Sequence, residues 1–281
     1  MMINPETIDF VIYHGSGCAD GFGSAFAAWK LLGDNAEYYA ASHGDSPPDV
    51  TGKNVAILDF SYKRKILEKM IESASSLVVV DHHASAQEAL SDLPNMIFDM
   101  NHSGAVLSWK YFHPGKSVPE FLEYIEDRDL WRWELPDSSE FSAAFQMVPK
   151  DFLEYEKFEN FDEIESAIVV GGVINDYIES EINRISKKAV DKVLDGLRVK
   201  VVNTSSHISA IGNRLSSKPD CDFALMWFYS HEKSKTCVSL RSSSSDIDVS
   251  KIAMRFGGGG HRCAAGFGLK LGVHIEDIFE D

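Results

Sequence analysis

Five short apolar runs alternate with segments of helical spacing along the first half of the chain. The runs are rich in Val, Ile and Tyr, which is typical of buried strands; they are FVIYH, AEYYAAS, NVAILDF, SLVVVDHH and NMIFDM. Three segments have apolar residues at helical intervals, namely GSAFAAWKLL and KRKILEKMIESA between the runs and GAVLSWKYF after the last run. Because strands that alternate with helices pair in parallel, the sequence predicts an α/β fold whose parallel sheet is covered on both faces.

A different pattern follows in the second half. Residues from about 160 to 194 predict one long helix or two joined ones, with Gly171 and Gly172 as a point of close packing or a break. Beyond them, the helical segment DVSKIAMRF and four apolar runs predict a smaller mixed-sheet α/β domain; the runs are LRVKVVNT, DFALMWFYS, KTCVSLRSS and AAGFGLKL. We therefore expect an N-terminal domain over residues 1–158, a helical connector over 159–195, and the smaller domain over 196–281.

The charge of the chain is strongly negative and uneven. The 281 residues carry a net charge of −16, which argues against a protein that binds long nucleic acid through its overall field. Residues 197–281 contain 11 Lys and Arg against 9 Asp and Glu, whereas the remainder contains 16 against 34. The acidic part suits cation binding and the C-terminal part suits an anionic ligand, although ordinary variation in surface charge gives a similar imbalance.

The sequence lacks the signatures of membrane and secreted proteins. No apolar run approaches the roughly 18 residues that a membrane span needs, and MMINPETIDF has neither the basic nor the apolar region of a signal peptide. The four cysteines are scattered without a CxxC pair, which argues against a disulfide framework or a zinc ribbon. We expect a cytoplasmic protein, and the sequence is compatible with a homodimer.

Histidines and aspartates stand where three of the predicted strands end. His14 ends the first run, Asp59 nearly ends the third, and the triplet Asp81-His82-His83 ends the fourth. In parallel sheets, ligands bind beyond the carboxyl ends of the strands. A single aspartate at such a place is more often a helix cap or a turn residue, but three strands that deliver these side chains to one edge indicate a site.

These residue types favour a divalent metal. Carboxylates and imidazoles without a cysteine cluster favour manganese or magnesium over zinc. The candidate ligands exceed what one ion requires; they are His14, Asp20, Asp59, Asp81, His82 and His83, with Asp127 and Asp129 in YIEDRDLW. Two ions about 3.5–4 Å apart would share a bridging carboxylate, for which Asp59 is the obvious candidate. Such a pair of ions is typical of enzymes that hydrolyse phosphate esters.

The motifs, taken in order, resemble those of a known family. VVVDHHASA contains the DHH triplet, and it occurs together with the segment 14–24, Asp59, Asp127 and the late GGGGHRCAAGF. In this order the motifs resemble the DHH phosphoesterases, specifically the two-domain type with a DHH-associated C-terminal domain. That group includes single-strand exonucleases, nanoRNases that degrade short oligonucleotides, and cyclic-dinucleotide phosphodiesterases. The resemblance covers nearly the whole chain.

The resemblance implies a role for each of the candidate ligands. His14 and Cys18 would bind one manganese ion, and Asp59 would bridge it to a second ion. That second ion would be bound by Asp20, by His82, and by Asp127 in preference to Asp129. His83 would lie beside the scissile phosphate, and Asp81 would orient the adjacent imidazole.

Cys18 is a departure from the family pattern. The family commonly has an aspartate four residues after the histidine, where this chain has Cys18. A thiolate ligand is softer, and its protonation competes with metal binding, so it would shift the preference towards zinc or iron or weaken the first ion. The alternative is a buried thiol that binds no metal.

The second domain contains a candidate anion site. The consecutive residues Gly258, Gly259 and Gly260 would let backbone amides approach an anion, and His261 and Arg241 would supply charge. By resemblance, this domain would bind the terminal part of a short nucleotide; a flexible turn is the alternative. Ser103 in NHSGAVLSWKYF is predicted to cap a helix, in a segment that could also line the substrate site.

Together these observations predict a manganese-dependent phosphodiesterase. Its substrate would be a short single-stranded oligonucleotide, a linear dinucleotide or another small nucleotide, from which it would release nucleoside monophosphates. Long duplexes and membranes are not expected as partners. The alternatives are a phosphatase of 3′-phosphoadenosine 5′-phosphate, a cyclic-dinucleotide phosphodiesterase, an enzyme acting on pyrophosphate or polyphosphate, and a nucleotide-binding protein without catalysis.

Overall fold

Five parallel strands form the first sheet of the computed structural model, which describes residues 3–244, 246–269 and 272–280. The strands lie in the order β2-β1-β3-β4-β5; they are β1 (Phe10–His14), β2 (Glu37–Ala41), β3 (Asn54–Leu58), β4 (Ser76–Asp81) and β5 (Met96–Phe98). All five predicted strands of the first half are therefore confirmed. Because β1, β3 and β4 are neighbours, their carboxyl ends meet at one edge.

Seven helices accompany this sheet in the described residues before residue 160. They are α1 (Ala19–Leu32), α2 (Arg64–Ser73), α3 (Ala84–Leu90), α4 (Gly104–Phe112), α5 (Glu120–Asp129), α6 (Ser138–Phe145) and α7 (Phe152–Lys157). Helices α2 and α3 contribute Leu67, Met70 and Leu90 to a core on one face of the sheet. On the other face, α1 and α4 contribute Ala28, Leu107 and Phe112. Both faces are therefore covered, as predicted.

An aromatic cluster fixes the position of α5, α6 and α7 against α1. It includes Phe26, Phe121, Phe141, Phe145 and Tyr155, none more than 2% exposed. Burial of each large apolar side chain contributes about 1.5–3 kcal/mol. This packing makes α1 and α5, which both carry candidate site residues, parts of one rigid assembly.

The long helix of the second half is shorter than the sequence predicts. Helix α8 (Phe161–Ser186) is continuous through Gly171 and Gly172, and the predicted helical segment 187–194 contains the strand β6 (Val190–Leu194) instead. Asp195 and Gly196 have φ values of 54° and 73° and connect β6 to β7 (Leu197–Asn203). An Asp-Gly pair favours such a two-residue hairpin turn, which explains why the chain leaves the helical pattern.

The second sheet is mixed. Its order is β10-β11-β9-β8-β7-β6, in which β7 and β8 pair in parallel and the other pairs are antiparallel. The remaining elements are β8 (Phe223–Ser230), β9 (Lys235–Arg241), β10 (Gly259–His261) and β11 (Ala264–Leu269), with helices α9 (Ile208–Ser216) and α10 (Val249–Arg255). The predicted fold class, a parallel-sheet α/β domain with a smaller mixed-sheet α/β domain, is confirmed.

The chain divides into two compact units, Met1–Asn175 and Asp176–Asp281. This division falls inside the segment 159–195 that we expect to be the connector, and the two predicted boundaries, after residues 158 and 195, stay predictions. Within the described residues, no helix combines the length and the apolar character needed to cross a membrane.

Candidate active site

Three neighbouring strand ends place His14, Asp59 and Asp81 at one edge of the first sheet. His14 is the last residue of β1, Asp81 is the last residue of β4, and Asp59 directly follows β3. Asp59 has a φ of 52°, in the left-handed region that non-glycine residues rarely adopt. Such a conformation costs of order 1–3 kcal/mol and persists only where the surroundings hold it, which is typical of functional sites.

Asp59 lies at the centre of the cluster and is 2% exposed. Its Oδ2 is 3.5 Å from His14 Nδ1 and 3.9 Å from Cys18 Sγ. Its Oδ1 is 3.2 Å from His82 Nε2, yet makes no hydrogen bond of acceptable geometry with the described residues. One carboxylate therefore faces two groups of candidate ligands, as expected of a bridging ligand.

Asp20, His82 and Asp129 form the second group of candidate ligands. His82 Nε2 is 3.7 Å from Asp20 Oδ2 and 3.5 Å from Asp129 Oδ2. The ligand atoms of these three residues lie within 4.8 Å of one another, as do those of His14, Cys18 and Asp59. The structure thus brings together all the predicted metal ligands except Asp127.

Asp127 faces away from this cluster, so the prediction that prefers it to Asp129 is corrected. Its buried carboxylate accepts hydrogen bonds from the backbone amides of Glu134, at 3.0 Å, and Leu135, at 3.4 Å. Residues two positions apart on α5 point about 200° apart around the helix axis, so only one of the two aspartates can face His82. That residue is Asp129.

The first turn of α4 holds the carboxylate of Asp20. The amide of Gly104 donates to Oδ2 at 2.7 Å, and the amide of Ala105 donates to Oδ1 at 2.9 Å. These amides lack partners within the helix, and an anion at a helix N-terminus is favoured by the helix dipole. The orientation of Asp20 is therefore fixed by α4.

Ser103 caps α4 from a fully buried position. Its Oγ accepts from the amide of Val106 at 3.4 Å, and its own amide donates to Glu126 Oε2 at 2.8 Å. The side chain of Ser103 is 0% exposed and serves here as a buried helix cap, and its contact with substrate stays a prediction. Glu126, which the sequence analysis missed, also contacts His102 and Arg132 and so anchors the residues before α4.

Asp81 orients His83. Its Oδ1 lies 2.7 Å from His83 Nδ1 and accepts from the amide of His82, and Ser61 Oγ donates to its Oδ2 at 2.6 Å. A partner on Nδ1 fixes the ring and leaves Nε2 for another ligand. The side chain of His83 is 45% exposed, whereas that of Asp81 is 1% exposed.

Crowded carboxylates dominate the electrostatics of the cluster. Burial, followed by the charges of Asp59 and Asp129, raises the pKa of Asp20 well above its ordinary value. Burial and then the charge of Asp59 raise the pKa of Asp129. The hydrogen bond to Asp59 is the largest cause that raises the pKa of His14 to about 10. These are the directions expected where negative charge is concentrated without a cation.

His43 is a further residue at this edge that the sequence analysis missed. It follows β2, the neighbour of β1, and its ring centroid lies 5.5 Å from that of His14 and 5.0 Å from that of Phe60. The signal was present in the sequence, because His43 directly follows the predicted strand AEYYAAS, as the other candidates come at or near strand ends.

His261 and Arg241 flank one residue of the second sheet. Ala264 of β11 pairs with His261 on one side and with Arg241 on the other. Directly paired residues on adjacent strands point to the same face of a sheet. The two candidate anion ligands therefore share a face, although Arg241 Nη2 already donates to Ser209 Oγ at 3.0 Å.

Gly259 and Gly260 lie in strand β10, and Gly258 directly precedes it. A Cβ on Gly258 would come within 2.5 Å of Phe267 Cβ, and one on Gly260 would come within 2.5 Å of Ala265 Cα. Gly260 also has a φ of 144°. The close approach of residues 258–260 to β11 thus requires glycine at positions 258 and 260, whereas a Cβ on Gly259 would meet no described atom within 4 Å.

Comparisons with known proteins cover both halves of the chain. Residues 197–281 match the DHHA1 domain. R106, an uncharacterized protein of Acanthamoeba polyphaga mimivirus, is 36% identical in an alignment 303 positions long that covers 99% of this chain and 72% of R106. Oligoribonuclease NrnB of Bacillus subtilis (strain 168) is 23% identical in an alignment 228 positions long that covers 71% of this chain and 54% of NrnB, so the match spans about half of that protein.

A solved structure has a similar fold. The pGpG-specific phosphodiesterase PggH from Vibrio cholerae superposes with a TM-score of 0.54 over 96% of this chain and 94% of PggH, at 17% identity. The order of motifs, the strand-end cluster and these matches agree. This chain belongs to the DHH family of phosphoesterases and has a C-terminal DHHA1 domain.

Proposed function

We propose that this protein hydrolyses the phosphodiester bonds of short oligonucleotides or linear dinucleotides and releases nucleoside monophosphates. The observation that carries the proposal is the position of Asp59 between two groups of candidate ligands, His14 with Cys18 and Asp20 with His82 and Asp129. Support for the substrate class comes from the relatives, since NrnB is named an oligoribonuclease and PggH a pGpG-specific phosphodiesterase.

The residues of the cluster fit divalent metal ions. Asp59 Oδ1 is buried without a hydrogen-bond partner among the described residues, and the carboxylates of Asp20 and Asp129 lie close to it. His14, Cys18 and Asp59 would hold one ion, and Asp20, Asp59, His82 and Asp129 the other. Mainly oxygen and imidazole donors favour manganese. When bound, such ions lower the pKa of water and stabilise charge on a phosphoryl oxygen.

His83 is the residue of the chain that we place against the scissile phosphate. The hydrogen bond to Asp81 is the largest cause that raises the pKa of His83. With Nδ1 held by Asp81, the proton on Nε2 can be donated to a phosphate oxygen or to the leaving ester oxygen. In the reaction a bond forms between water oxygen and phosphorus, the ester bond breaks, and the leaving oxygen takes up a proton.

The C-terminal domain would supply the contacts that select short substrates. We propose that Arg241, His261 and the amides of residues 258–260 bind a terminal phosphate, because Arg241 and His261 lie on the same face of the second sheet, on either side of Ala264. The acidic charge of residues 1–196 disfavours a long polyanion. A substrate with few phosphates meets less of this repulsion.

A substrate panel with added manganese tests the proposal. It contains a 5′-phosphorylated dinucleotide, a five-residue oligonucleotide, a cyclic dinucleotide and 3′-phosphoadenosine 5′-phosphate, with products separated by chromatography. We expect the dinucleotide to give monophosphates, and Asp59→Asn to lower this rate by about a thousandfold or more. Asp34→Asn, which changes an exposed carboxylate far from the strand ends in sequence, is the matched control. Faster cleavage of the cyclic dinucleotide or of 3′-phosphoadenosine 5′-phosphate would contradict the proposal, as would no cleavage with manganese, magnesium, zinc or iron.

A further inference from the structure

A cavity of about 240 Å³ opens beside His83, on the first unit alone. Its walls come from the segments that follow β2, β3 and β4, and from one face of α3; they include His43, Ser61, His83, Ser85, Ala86 and Ala89. The cavity is therefore built at the same carboxyl edge of the sheet as the metal cluster. The proposed function gives this space no role.

The cavity and the cluster share residues and are contiguous. His83 lines the cavity and is held by Asp81, which lines it too. His43, on another wall, has its ring centroid 5.5 Å from that of His14. A group that is linked by one ester bond to a phosphate at the cluster would be within reach of this cavity.

The lining has the chemistry of a site for a planar heterocycle. The imidazoles of His43 and His83 line the cavity, and aromatic rings stack on bases in proteins that bind single strands. Ser61 and Ser85 provide hydroxyl groups, and Ala86, Ala89 and Leu90 provide an apolar wall. Asp81, the carboxylate of the lining, is already satisfied by His83 and Ser61.

The volume of the cavity suits a single nucleoside. Pockets for drug-sized molecules have volumes of roughly 300–1,000 Å³, and this cavity is smaller, at about 240 Å³. We propose that it receives the base and sugar of one of the two nucleosides joined by the scissile phosphate. This inference rests on the proposed function. It adds a specificity determinant within the catalytic unit that is separate from the phosphate site we propose at Arg241 and His261.

A substitution that fills the cavity tests the proposal. Ala89 is exposed and lines the cavity, so Ala89→Phe would introduce a ring there without burying it in the core. Glu88→Phe is the matched control, because the neighbouring residue points about 100° away around α3 and lies outside the lining. The substrates are the 5′-phosphorylated dinucleotide and the methyl esters of a nucleoside 5′-monophosphate and of a nucleoside 3′-monophosphate. Each ester retains the diester and only one of the two nucleosides.

We expect Ala89→Phe to lower the ratio of kcat/KM for the dinucleotide to kcat/KM for one of the two methyl esters, the one that lacks the nucleoside bound in the cavity, about tenfold or more. Glu88→Phe should leave both ratios at their wild-type values. An equal loss on all three substrates in Ala89→Phe, or two unchanged ratios, would overturn the nucleoside cavity while leaving hydrolysis itself established.

A binding measurement separates this inference from the proposed function. Adenosine, guanosine, cytidine and uridine are titrated separately into protein with ¹³C-labelled histidine, and the imidazole signals are followed by NMR. We expect at least one nucleoside to shift the signals of His43 and His83 in the wild type and in Glu88→Phe, and not in Ala89→Phe. If no nucleoside shifts either histidine at millimolar concentration, the cavity proposal is wrong, whether or not the protein hydrolyses dinucleotides.

Discussion

The carboxylate of Asp20 accepts a 2.7 Å hydrogen bond from the amide of Gly104, which lies 84 residues further along the chain. Asp20 is in the first turn of α1, and Gly104 begins α4. The pair links the segment after β1 to the segment after β5, on either side of the cluster. The geometry of this site therefore depends on how α4 packs as much as on the strand ends.

Gly104→Ala should disrupt this link. A Cβ at residue 104 would come within 2.7 Å of Asp59 Cγ and Oδ1, so either α4 or Asp59 must move. A displacement of about 1 Å at a catalytic group costs about a hundredfold in rate, and overpacking costs about 1–3 kcal/mol of stability. We expect both losses, measured as kcat/KM and as the free energy of unfolding in urea. Wild-type activity in this variant would show that the contact is not important.

Substitution of Asp129 should weaken metal binding, whereas substitution of Asp127 should lower the stability of the fold. Asp129→Ala removes a candidate ligand at the mouth of the cluster, and we expect the manganese concentration for half-maximal activity to rise about tenfold or more. Asp127→Ala leaves the amides of Glu134 and Leu135 without their acceptor, and we expect a loss of about 1–3 kcal/mol of stability instead. A metal titration and a urea titration of each variant provide the test, and the reverse pattern would restore the original preference for Asp127.

Cys18→Ala should weaken binding of one metal ion. Cys18 Sγ lies 3.9 Å from Asp59 Oδ2 and accepts from the amide of Gly21 at 3.5 Å. If the thiolate is a ligand, its loss raises the manganese concentration needed for activity, and Cys18→Asp, which restores an anionic donor, reverses most of the effect. The exposed Cys263 supplies the control variant Cys263→Ala. An unchanged metal titration in Cys18→Ala would show that the thiol binds no metal.

The glycine pair of α8 offers a matched test of packing. A Cβ on Gly171 would overlap the carbonyl oxygen of Glu140, whereas a Cβ on Gly172 would meet its nearest atom, Glu140 Cγ, at 4.0 Å. We expect Gly171→Ala to destabilise the protein by about 1–3 kcal/mol. Gly172→Ala should stabilise it by about 0.5–1 kcal/mol, because alanine favours the helix. Thermal unfolding of the two variants tests this prediction. Similar changes in stability in both variants would argue against close packing at Gly171.

His113 should make the protein less stable as the pH falls below neutral. Burial is the largest cause that lowers its pKa, and its Nε2 lies 2.9 Å from the carbonyl oxygen of Ala27. The unfolded chain takes up a proton at this histidine near pH 6.5, whereas the folded chain does so only at lower pH. The stability that neutral His113 contributes is therefore lost as the pH falls from about 6.5 to the lower pKa of the folded chain. His113→Gln keeps an amide donor and does not titrate. We expect urea titrations at pH 7.5 and about 5.5 to show a smaller loss of stability in the variant, and an equal loss would contradict the prediction.

The sequence by itself determined the strands of the first sheet and the residues at their ends. Strand patterns are local, because continuous apolar runs rich in β-branched residues, such as SLVVVDHH, are set by neighbours in the chain. The parallel order then followed from the alternation with helices, and it was enough to bring His14, Asp59 and Asp81 together. The turn at Asp195 and Gly196 was equally local, although the helical spacing before it concealed the short strand β6.

The tertiary structure alone decided which of these side chains face the cluster. Asp127 and Asp129 are equivalent in the sequence, and the rotation of α5, set by its packing against α1, points Asp129 towards His82. The amides that hold Asp20 and the cavity between His43 and His83 likewise join segments far apart in the chain. Contacts of this kind depend on helix orientation and close packing in three dimensions, which local patterns of hydrophobicity and charge do not encode.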